Sequence, residues 1–185
     1  MVTTGHVFIA TSLDGFIARE NGDISWLLEL DSTGEDHGYD AFIANIDVIV
    51  MGRGTYETIK HIQPWFYNRP VIVLSKILAQ EAIPEELIEK VRFVDLSPKE
   101  VMQMLKAEGY HHAYIDGGKV VQSFIYEGLI SDLIITRVPI LLGAGRPLFG
   151  KISNDIHLYH TQTKIFDSGF IQSHYEIKQS SNEGQ

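Results

Sequence analysis

The sequence predicts an α/β fold in which a mixed sheet of about eight strands carries helices on both faces. Two observations predict this fold. Short, β-branched apolar runs alternate with helical patterns over the first two thirds of the chain, and three strand-like runs without an intervening helical pattern follow. The alternation is typical of a parallel sheet, and the last third indicates antiparallel strands at its C-terminal end.

Four apolar runs in the first part of the chain predict strands buried on both faces, because each is short, β-branched and closely followed by Gly, Ser or Asp. These runs are Val7–Ala10, Val48–Met51, Val71–Leu74 and Ala113–Ile115. The three later strands are predicted at Leu133–Ile140, Ile156–Thr163 and Phe170–Ile177. A turn at Asp167–Gly169 separates the last two.

Three helices are indicated between these strands. Apolar residues recur at helical spacing at Tyr39, Phe42, Ile43 and Ile46, and again at Val120, Val121, Phe124 and Ile125, where Gly128 closes the helix. Ser97–Glu100 forms a capping box with proline at the first helical position, and that helix ends at Gly109. In such sheets ligands bind beyond the carboxyl ends of the parallel strands, so we expect the site there.

Composition predicts one domain over residues 1–178 and a polar tail over 179–185. The 185 residues, 44% of them hydrophobic, suffice for a core without disulfides. No cysteine is present and the eight histidines lack metal-ligand spacing, so no metal site is expected. The net charge of -9 disfavours nucleic acid and membrane partners. With no signal-peptide pattern and no apolar run of ~20 residues, a cytoplasmic protein is expected.

Two strand ends carry glycine turns that suit a phosphate. Asp116–Lys119 leads from a strand into a helix, and Gly52–Thr55 does the same and includes an arginine. Such turns let the backbone approach a ligand and present free N–H groups, but a tight strand-to-helix turn without a ligand explains them equally well. Ser75 and Lys76 follow another strand. Three such sites on one sheet suggest a dinucleotide with an additional ribose phosphate, which is NADPH.

Five motifs that occur in order resemble the dihydrofolate reductase-like superfamily. They are Ser12–Ala18, Val50–Tyr56, Val73–Ser75, Ile115–Gly118 and Pro139–Phe149. Within it, the chain is most similar to the C-terminal reductase domain of the bifunctional riboflavin-biosynthesis deaminase-reductase, over about residues 5–178. The deaminase half is absent, because its zinc motif requires cysteine. The resemblance implies a stand-alone reductase with the three-layer fold of dihydrofolate reductase.

The resemblance further implies an NADPH-dependent oxidoreductase that transfers a hydride to a pyrimidine or pteridine-type substrate. The preferred substrate is 5-amino-6-(5-phosphoribosylamino)uracil of riboflavin biosynthesis. Dihydrofolate reductase-like activity stays open, because Arg69 matches the spacing of the arginine that binds the folate glutamate. Against it, Ile24–Leu28 replaces the Pro-Trp-x-Leu-Pro segment of those enzymes. A non-catalytic NADPH-binding protein is the third alternative.

The same resemblance assigns site residues. Cofactor binding is implied for Ala10, Gly52, Arg53, Thr55, Ser75, Lys76, Gly117, Gly118, Lys119 and Val120. Substrate binding is implied for Ser12, Asp14, Arg137, Gly145 and Arg146. Arg53, Ser75 and Lys76 are expected to select NADPH over NADH. A homodimer is expected, because riboflavin-type reductase domains commonly pair and the apolar run Leu133–Leu142 is long for an exposed strand.

Asp36 is the candidate catalytic residue. By resemblance, its distance in sequence from Gly52 equals that of the proton-relay carboxylate in dihydrofolate reductases. A carboxyl at the edge of an apolar pocket can assist protonation beside the hydride acceptor. The alternative is an acid at the start of a helix that stabilises the helix dipole, and Glu35 and Asp40 compete for the catalytic role.

Overall fold

The chain folds around an eight-stranded sheet, as a computed structural model describing residues 2–30, 34–62, 64–65 and 67–178 shows. The predicted tail, residues 179–185, lies outside the described residues. The strands are β1 (Thr4–Ser12), β2 (Phe16–Ala18), β3 (Val48–Gly52), β4 (Val71–Leu74), β5 (Val91–Val94), β6 (His112–Asp116), β7 (Ile130–Val138), β8 (Arg146–Pro147), β9 (Leu158–Ile165) and β10 (Ile171–Ile177).

Six neighbouring strands run parallel and the sheet ends in antiparallel strands, as predicted. The order across the sheet is β5-β4-β3-β6-β1-β7-β10-β9. Every pair from β5 to β7 is parallel, whereas β10 pairs antiparallel with both β7 and β9. Strand β5 was not predicted from the sequence, because it has only four residues, lies at the edge of the sheet and includes the exposed Arg92.

The helices are α1 (Ser25–Leu30), α2 (Tyr39–Ile43), α3 (Arg53–Ile59), α4 (Pro98–Ala107) and α5 (Gly118–Tyr126). Short 3-10 turns occur at Leu78–Gln80 and Glu85–Leu87. The predicted capping box of α4 is confirmed, since the side chains of Ser97 and Glu100 each bind the backbone N–H of the other. Within the described residues, no helix is long and apolar enough to cross a membrane.

Helix α2 is shorter than its sequence pattern predicts. It begins at Tyr39, after Gly38 with φ 84°, and it ends at Ile43, so that Ile46 lies beyond it. The prediction that Asp36 opens this helix is therefore wrong. The Oδ1 atom of Asp36 instead accepts a hydrogen bond of 2.7 Å from the N–H of Gly38, and this local turn competes with the helical conformation.

The sheet separates two hydrophobic clusters. Alternate residues of β3 point to opposite sides, so Val48 and Val50 join the cluster with α4 and α5, while Ile49 and Met51 join the cluster with α2 and α3. The middle strands thus have no exposed face, and packing from both sides fixes the position of their carboxyl ends.

A small two-stranded arm, formed by β2 and β8, extends from the main sheet. Phe16 pairs with Pro147, and Ala18 pairs with Arg146. Because β2 follows β1 after a short turn, this β2–β8 arm lies at the edge where the parallel strands end. The predicted cofactor residues that follow β3, β4 and β6 lie at this carboxyl edge.

Candidate active site

Two glycine turns meet where β3 and β6 end. A Cβ atom at Gly117 would lie 2.5 Å from Oγ1 of Thr55, and one at Gly52 would lie 3.0 Å from Cγ2 of Val120. Gly117 also has φ 90° and ψ 139°, a conformation that side chains disfavour. Glycine is therefore required at position 117 for two reasons, and the two predicted cofactor segments pack directly against each other.

The β2–β8 arm packs against the turn between β6 and α5. A Cβ atom at Gly118 would lie 2.9 Å from Cδ1 of Ile17 and 3.0 Å from the carbonyl oxygen of Pro147. Nε2 of Gln122, on α5, donates a hydrogen bond of 2.9 Å to that carbonyl. Both strands of the arm therefore contact the start of α5, where Lys119 is exposed.

Three predicted phosphate ligands lie along the same edge. Ser75 follows β4, and its hydroxyl accepts a hydrogen bond of 3.1 Å from the N–H of Leu78. Lys76 and Arg53 are exposed, and Nε of Arg53 lies 3.9 Å from the carboxylate of Glu57. An exposed ion pair at that distance contributes little, so both cations remain accessible to a phosphate.

Asp116 is half-buried and carries a carboxyl group whose sequence context indicated only a turn. It ends β6, and its Oδ1 accepts a hydrogen bond of 2.8 Å from the N–H of Gly117. The side chain of Tyr67 also hydrogen-bonds to the carboxyl group, whereas the neighbouring Tyr114 donates its hydroxyl hydrogen at 2.9 Å to the carbonyl oxygen of Phe8. Burial raises the pKa of Asp116 to about 6, and these hydrogen bonds offset the effect only in part. The available sequence signal was an aspartate directly after a buried strand.

Tyr39 brings a further hydroxyl to the same face of the sheet. Its ring contacts that of Phe8 edge-on, with 5.8 Å between the centroids. Its hydroxyl is buried and has no hydrogen-bond partner among the described residues. Burial raises the pKa of Tyr39 to about 12, and the charge of Asp116 adds to this shift. Because a buried hydroxyl without a partner is unfavourable, it marks a place where a polar group of a ligand fits.

The three carboxylates that the sequence analysis considered for catalysis lie in other surroundings. Asp36 is exposed before α2, and Asp40 is exposed in its first turn. Glu35 accepts two hydrogen bonds of 2.9 Å from N–H groups of the β9–β10 turn, and so connects that turn to the segment before α2. Asp116 is therefore the carboxyl whose surroundings suit it to hold a proton.

The predicted substrate residues Ser12 and Asp14 hold two loops together. The carboxylate of Asp14 accepts hydrogen bonds from the hydroxyl of Ser12 at 2.6 Å and from the N–H groups of Leu142 and Gly143 at 3.2 and 2.8 Å. These hydrogen bonds, that of Ser12 foremost, lower the pKa of Asp14. Since both side chains bind protein groups here, their substrate role stays a prediction.

The remaining predicted residues divide between two places. Ala10 is half-buried in β1, and Arg137 is exposed on the neighbouring strand β7. Gly145 has no room for a side chain, because a Cβ atom there would collide with β2. Arg146 reaches the first turn of α3, where a Cβ atom at Gly54 would lie 3.7 Å from its Nη1. The structure thus places Arg146 with the predicted cofactor residues.

Arg69, which kept dihydrofolate open as a substrate, is bound to main-chain carbonyls. Its Nε and Nη2 donate to the carbonyl oxygen of Ile43 at 3.4 and 3.3 Å, and Nη2 also donates to that of Ala44 at 3.2 Å. These carbonyls end α2, where a cation is favourable. The position of Arg69 therefore has a structural reason that requires no folate.

A groove of about 570 Å³ lies beside α2, away from the glycine turns. Phe8, Phe42, Ile134 and His174 are among its lining residues. None of the predicted cofactor residues lines it. The groove is therefore separate from the carboxyl edge, and the chemistry of the residues at that edge locates the candidate site better than the size of a cavity.

A family model of the RibD C-terminal domain matches residues 3–171. The chain belongs to the RibD C-terminal domain family. Two proteins of Bacillus subtilis (strain 168) are similar to this family member. The uncharacterized protein YwjB is 35% identical over 170 residues, which cover 91% of this chain and 95% of YwjB. The uncharacterized protein YyaP is 27% identical over 181 residues, which cover 90% and 91%.

Solved structures agree with the family. A Shewanella sp. PV-4 protein, provisionally named a riboflavin biosynthesis protein, has a TM-score of 0.87 and 35% identity, covering 97% of this chain and 100% of its own. The diaminohydroxyphosphoribosylaminopyrimidine deaminase/5-amino-6-(5-phosphoribosylamino)uracil reductase of Thermotoga maritima shares the fold, with a TM-score of 0.75 at 14% identity over 96% of this chain and 57% of that chain. The predicted fold and family resemblance are confirmed, and RibD family membership supports a reductase.

We predict that Asp116 makes folding stability depend on pH. Its pKa of about 6 in the folded protein lies above the ordinary 3.8, so the folded chain holds this proton to higher pH than the unfolded chain. The free energy of unfolding should therefore fall through this group as pH rises from about 4 to about 6. Asp116→Asn should remove that part of the dependence, whereas Asp36→Asn, at an exposed carboxyl, should keep it.

Urea unfolding of the wild type and both variants across this pH range measures the effect. Stability curves of wild type and Asp116→Asn that run parallel throughout would contradict the burial of this carboxyl group.

Proposed function

We propose that the chain is an NADPH-dependent reductase that transfers a hydride to a pyrimidine or pteridine-type substrate, with 5-amino-6-(5-phosphoribosylamino)uracil preferred. Membership in the RibD C-terminal domain family supports the reductase class. The observation that carries the proposal is the half-buried carboxyl of Asp116, whose pKa is raised and which lies at the glycine turn between β6 and α5. A cytoplasmic location stays a prediction.

The carboxyl edge fits a phosphorylated dinucleotide. Arg53, Lys76 and Lys119 are exposed cations along one edge of a chain whose net charge is -9, so the edge attracts anions locally. The glycine turns and the hydroxyls of Ser75 and Thr55 add hydrogen-bond donors beside them. These residues would hold the phosphates of NADPH, which supplies the hydride when bound.

Asp116 is suited to supply the proton that the reduction needs. Adding a hydride to the carbon of a C=N bond requires one proton on the nitrogen. A carboxyl oxygen of Asp116 holds a proton up to about pH 6, and an acid with a pKa near the working pH is an effective proton donor. The hydrogen bonds from Tyr67 and from the N–H of Gly117 keep the carboxyl in position, and the hydroxyl of Tyr39 can bind a polar group of the heterocycle.

Two observations favour the pyrimidine over dihydrofolate. Arg69 donates to the carbonyls at the end of α2 instead of projecting as a free cation for a glutamate carboxylate. The family match is to the RibD C-terminal domain. Both favour a substrate of the riboflavin type and disfavour the folate alternative.

The proposed reaction predicts loss of NADPH absorbance with the pyrimidine substrate, and none with dihydrofolate or without an acceptor. Parallel assays with these three mixtures separate the alternatives. Oxidation with dihydrofolate alone would support dihydrofolate reductase-like activity. Binding of NADPH without oxidation in any mixture would support a non-catalytic NADPH-binding protein.

Two carboxylate variants test the source of the proton. Asp116→Asn should lower turnover by a factor on the order of 100 or more and leave NADPH affinity unchanged, because the isosteric amide cannot donate the acidic proton. Asp36→Asn is the matched control. The relay role of Asp36 stays a prediction, and the same comparison tests it. A large loss of turnover in Asp36→Asn would support the relay role of Asp36 and would contradict the role proposed for Asp116.

We also propose that the chain forms a homodimer. The dimer surface that we propose differs from the run Leu133–Leu142, from which the sequence predicted a dimer. The run Leu133–Leu142 is largely covered, because β7 lies between β1 and β10 and its residues Leu133 and Val138 are buried. In contrast, β9 is an edge strand whose eight residues are all exposed, including Tyr159 and Ile165. An exposed edge strand has unpaired backbone N–H and C=O groups that can pair with a second strand, and two copies can pair their β9 strands around a two-fold axis.

Light scattering at micromolar concentration should give twice the mass of the chain. Ile165→Lys should shift the protein to monomer, because it places a charge in the paired edge. Leu141→Lys, at an apolar residue 68% exposed in the run that first suggested pairing, should leave the dimer intact. A monomeric wild type, or dissociation caused only by Leu141→Lys, would contradict this assembly.

A further inference from the structure

Contacts with the segment after β2 hold the side chain of Arg146 near the glycine turns that follow β3 and β6. Its Nε donates a hydrogen bond of 3.2 Å to the carbonyl oxygen of Glu20. A Cβ atom at Gly22 would lie 3.1 Å from both Nη atoms, so the guanidinium rests against bare backbone there. From this position Nη1 faces the first turn of α3 at Gly54. The side chain is thus oriented before any ligand binds.

The remaining donors of Arg146 are available. The residue is exposed, and no carboxylate of the described residues forms an ion pair with it. By contrast, Arg53 has Glu57 within 3.9 Å, and Arg19 has Asp23 within 3.5 Å. An arginine that is fixed at Nε and unpaired at its Nη atoms is well suited to bind phosphate oxygens with two donors.

The position of Arg146 along the sheet edge indicates which phosphate it meets. Four strands are neighbours in the order β4, β3, β6, β1. Neighbouring strands lie about 4.8 Å apart, so three such spacings separate the predicted 2′-phosphate residues after β4 from the predicted nicotinamide side at β1. The diphosphate in the middle of an extended dinucleotide then lies over the turns after β3 and β6. Arg146 and Pro147 bridge these two turns, since Arg146 reaches Gly54 and Pro147 contacts Gly118.

We propose that Arg146 binds the diphosphate of the nicotinamide cofactor and not a phosphate of the substrate. This inference rests on the proposed function. NADPH and NADH share the diphosphate, so Arg146 contributes equally to the affinity for both. Selection between the two cofactors then belongs to Arg53, Ser75 and Lys76.

Titration of the full chain with NADPH, NADH and adenosine 2′-monophosphate tests this assignment, with binding followed by nicotinamide fluorescence and calorimetry. Arg146→Gln should weaken binding of NADPH and NADH by the same factor, about tenfold or more, because charge-assisted hydrogen bonds are lost. Adenosine 2′-monophosphate lacks the diphosphate, so its affinity should not change. Arg146→Lys should fall between the wild type and Arg146→Gln, because it keeps the charge and loses the fork.

Arg19→Gln is the matched control, since it removes a positive charge near the same arm without touching the turns, and it should bind both cofactors like the wild type. A circular dichroism spectrum shows whether Arg146→Gln folds, and Arg146→Lys decides the question if it does not.

Three results would overturn the assignment: unchanged affinity for both cofactors, a changed preference between them, or an increase only in the KM for the phosphorylated pyrimidine. A wild type that binds neither cofactor would overturn the proposed function as well. If the wild type binds both cofactors and Arg146→Gln binds them with the same affinity, only the role of Arg146 is overturned.

Discussion

The site depends on one steric constraint, the lack of room for a Cβ atom between the turns that follow β3 and β6. A Cβ atom at Gly117 would lie 2.5 Å from Oγ1 of Thr55 and has no room, and one at Gly52 would lie 3.0 Å from Cγ2 of Val120 and would require Val120 to move. Because the two parallel strands end side by side, α3 and α5 begin next to each other. The β2–β8 arm packs against the first residue of α5, Gly118. Larger residues in these turns would separate both helices and displace the arm.

The same edge combines two kinds of electrostatic surroundings. Toward β4 and β3 the cations are exposed, and they form a positive region on an acidic chain. At the end of β6 the carboxyl group of Asp116 is instead desolvated among tyrosines, which raises its pKa and lets it hold a proton. An exposed positive region next to a carboxyl group with a raised pKa is the arrangement that the proposed nicotinamide-dependent reductase requires, since one site would then bind the hydride donor and supply the proton.

Local patterns predicted much of the fold, because they reflect interactions between residues close in sequence. The capping box at Ser97 and the β-branched runs of β3 and β4 are of this kind, and the ordered motifs indicated the family. The position of Asp116 after a buried strand was visible in the sequence, but its raised pKa was not predictable, because the surroundings that cause it include Tyr67 from a segment far away in sequence. The grouping of Arg146 with Gly54 was likewise not predictable, since the β2–β8 arm that carries it is positioned by long-range pairing.

Hydrogen–deuterium exchange with and without NADPH tests the central claim that this edge binds the cofactor. We expect slower exchange of the backbone amides at residues 52–55, 75–76 and 117–120 and in the β2–β8 arm, because a bound dinucleotide would cover these turns and accept hydrogen bonds from them. It predicts no change at the residues that line the groove beside α2. Protection confined to that groove, or absent everywhere at saturating NADPH, would contradict the account.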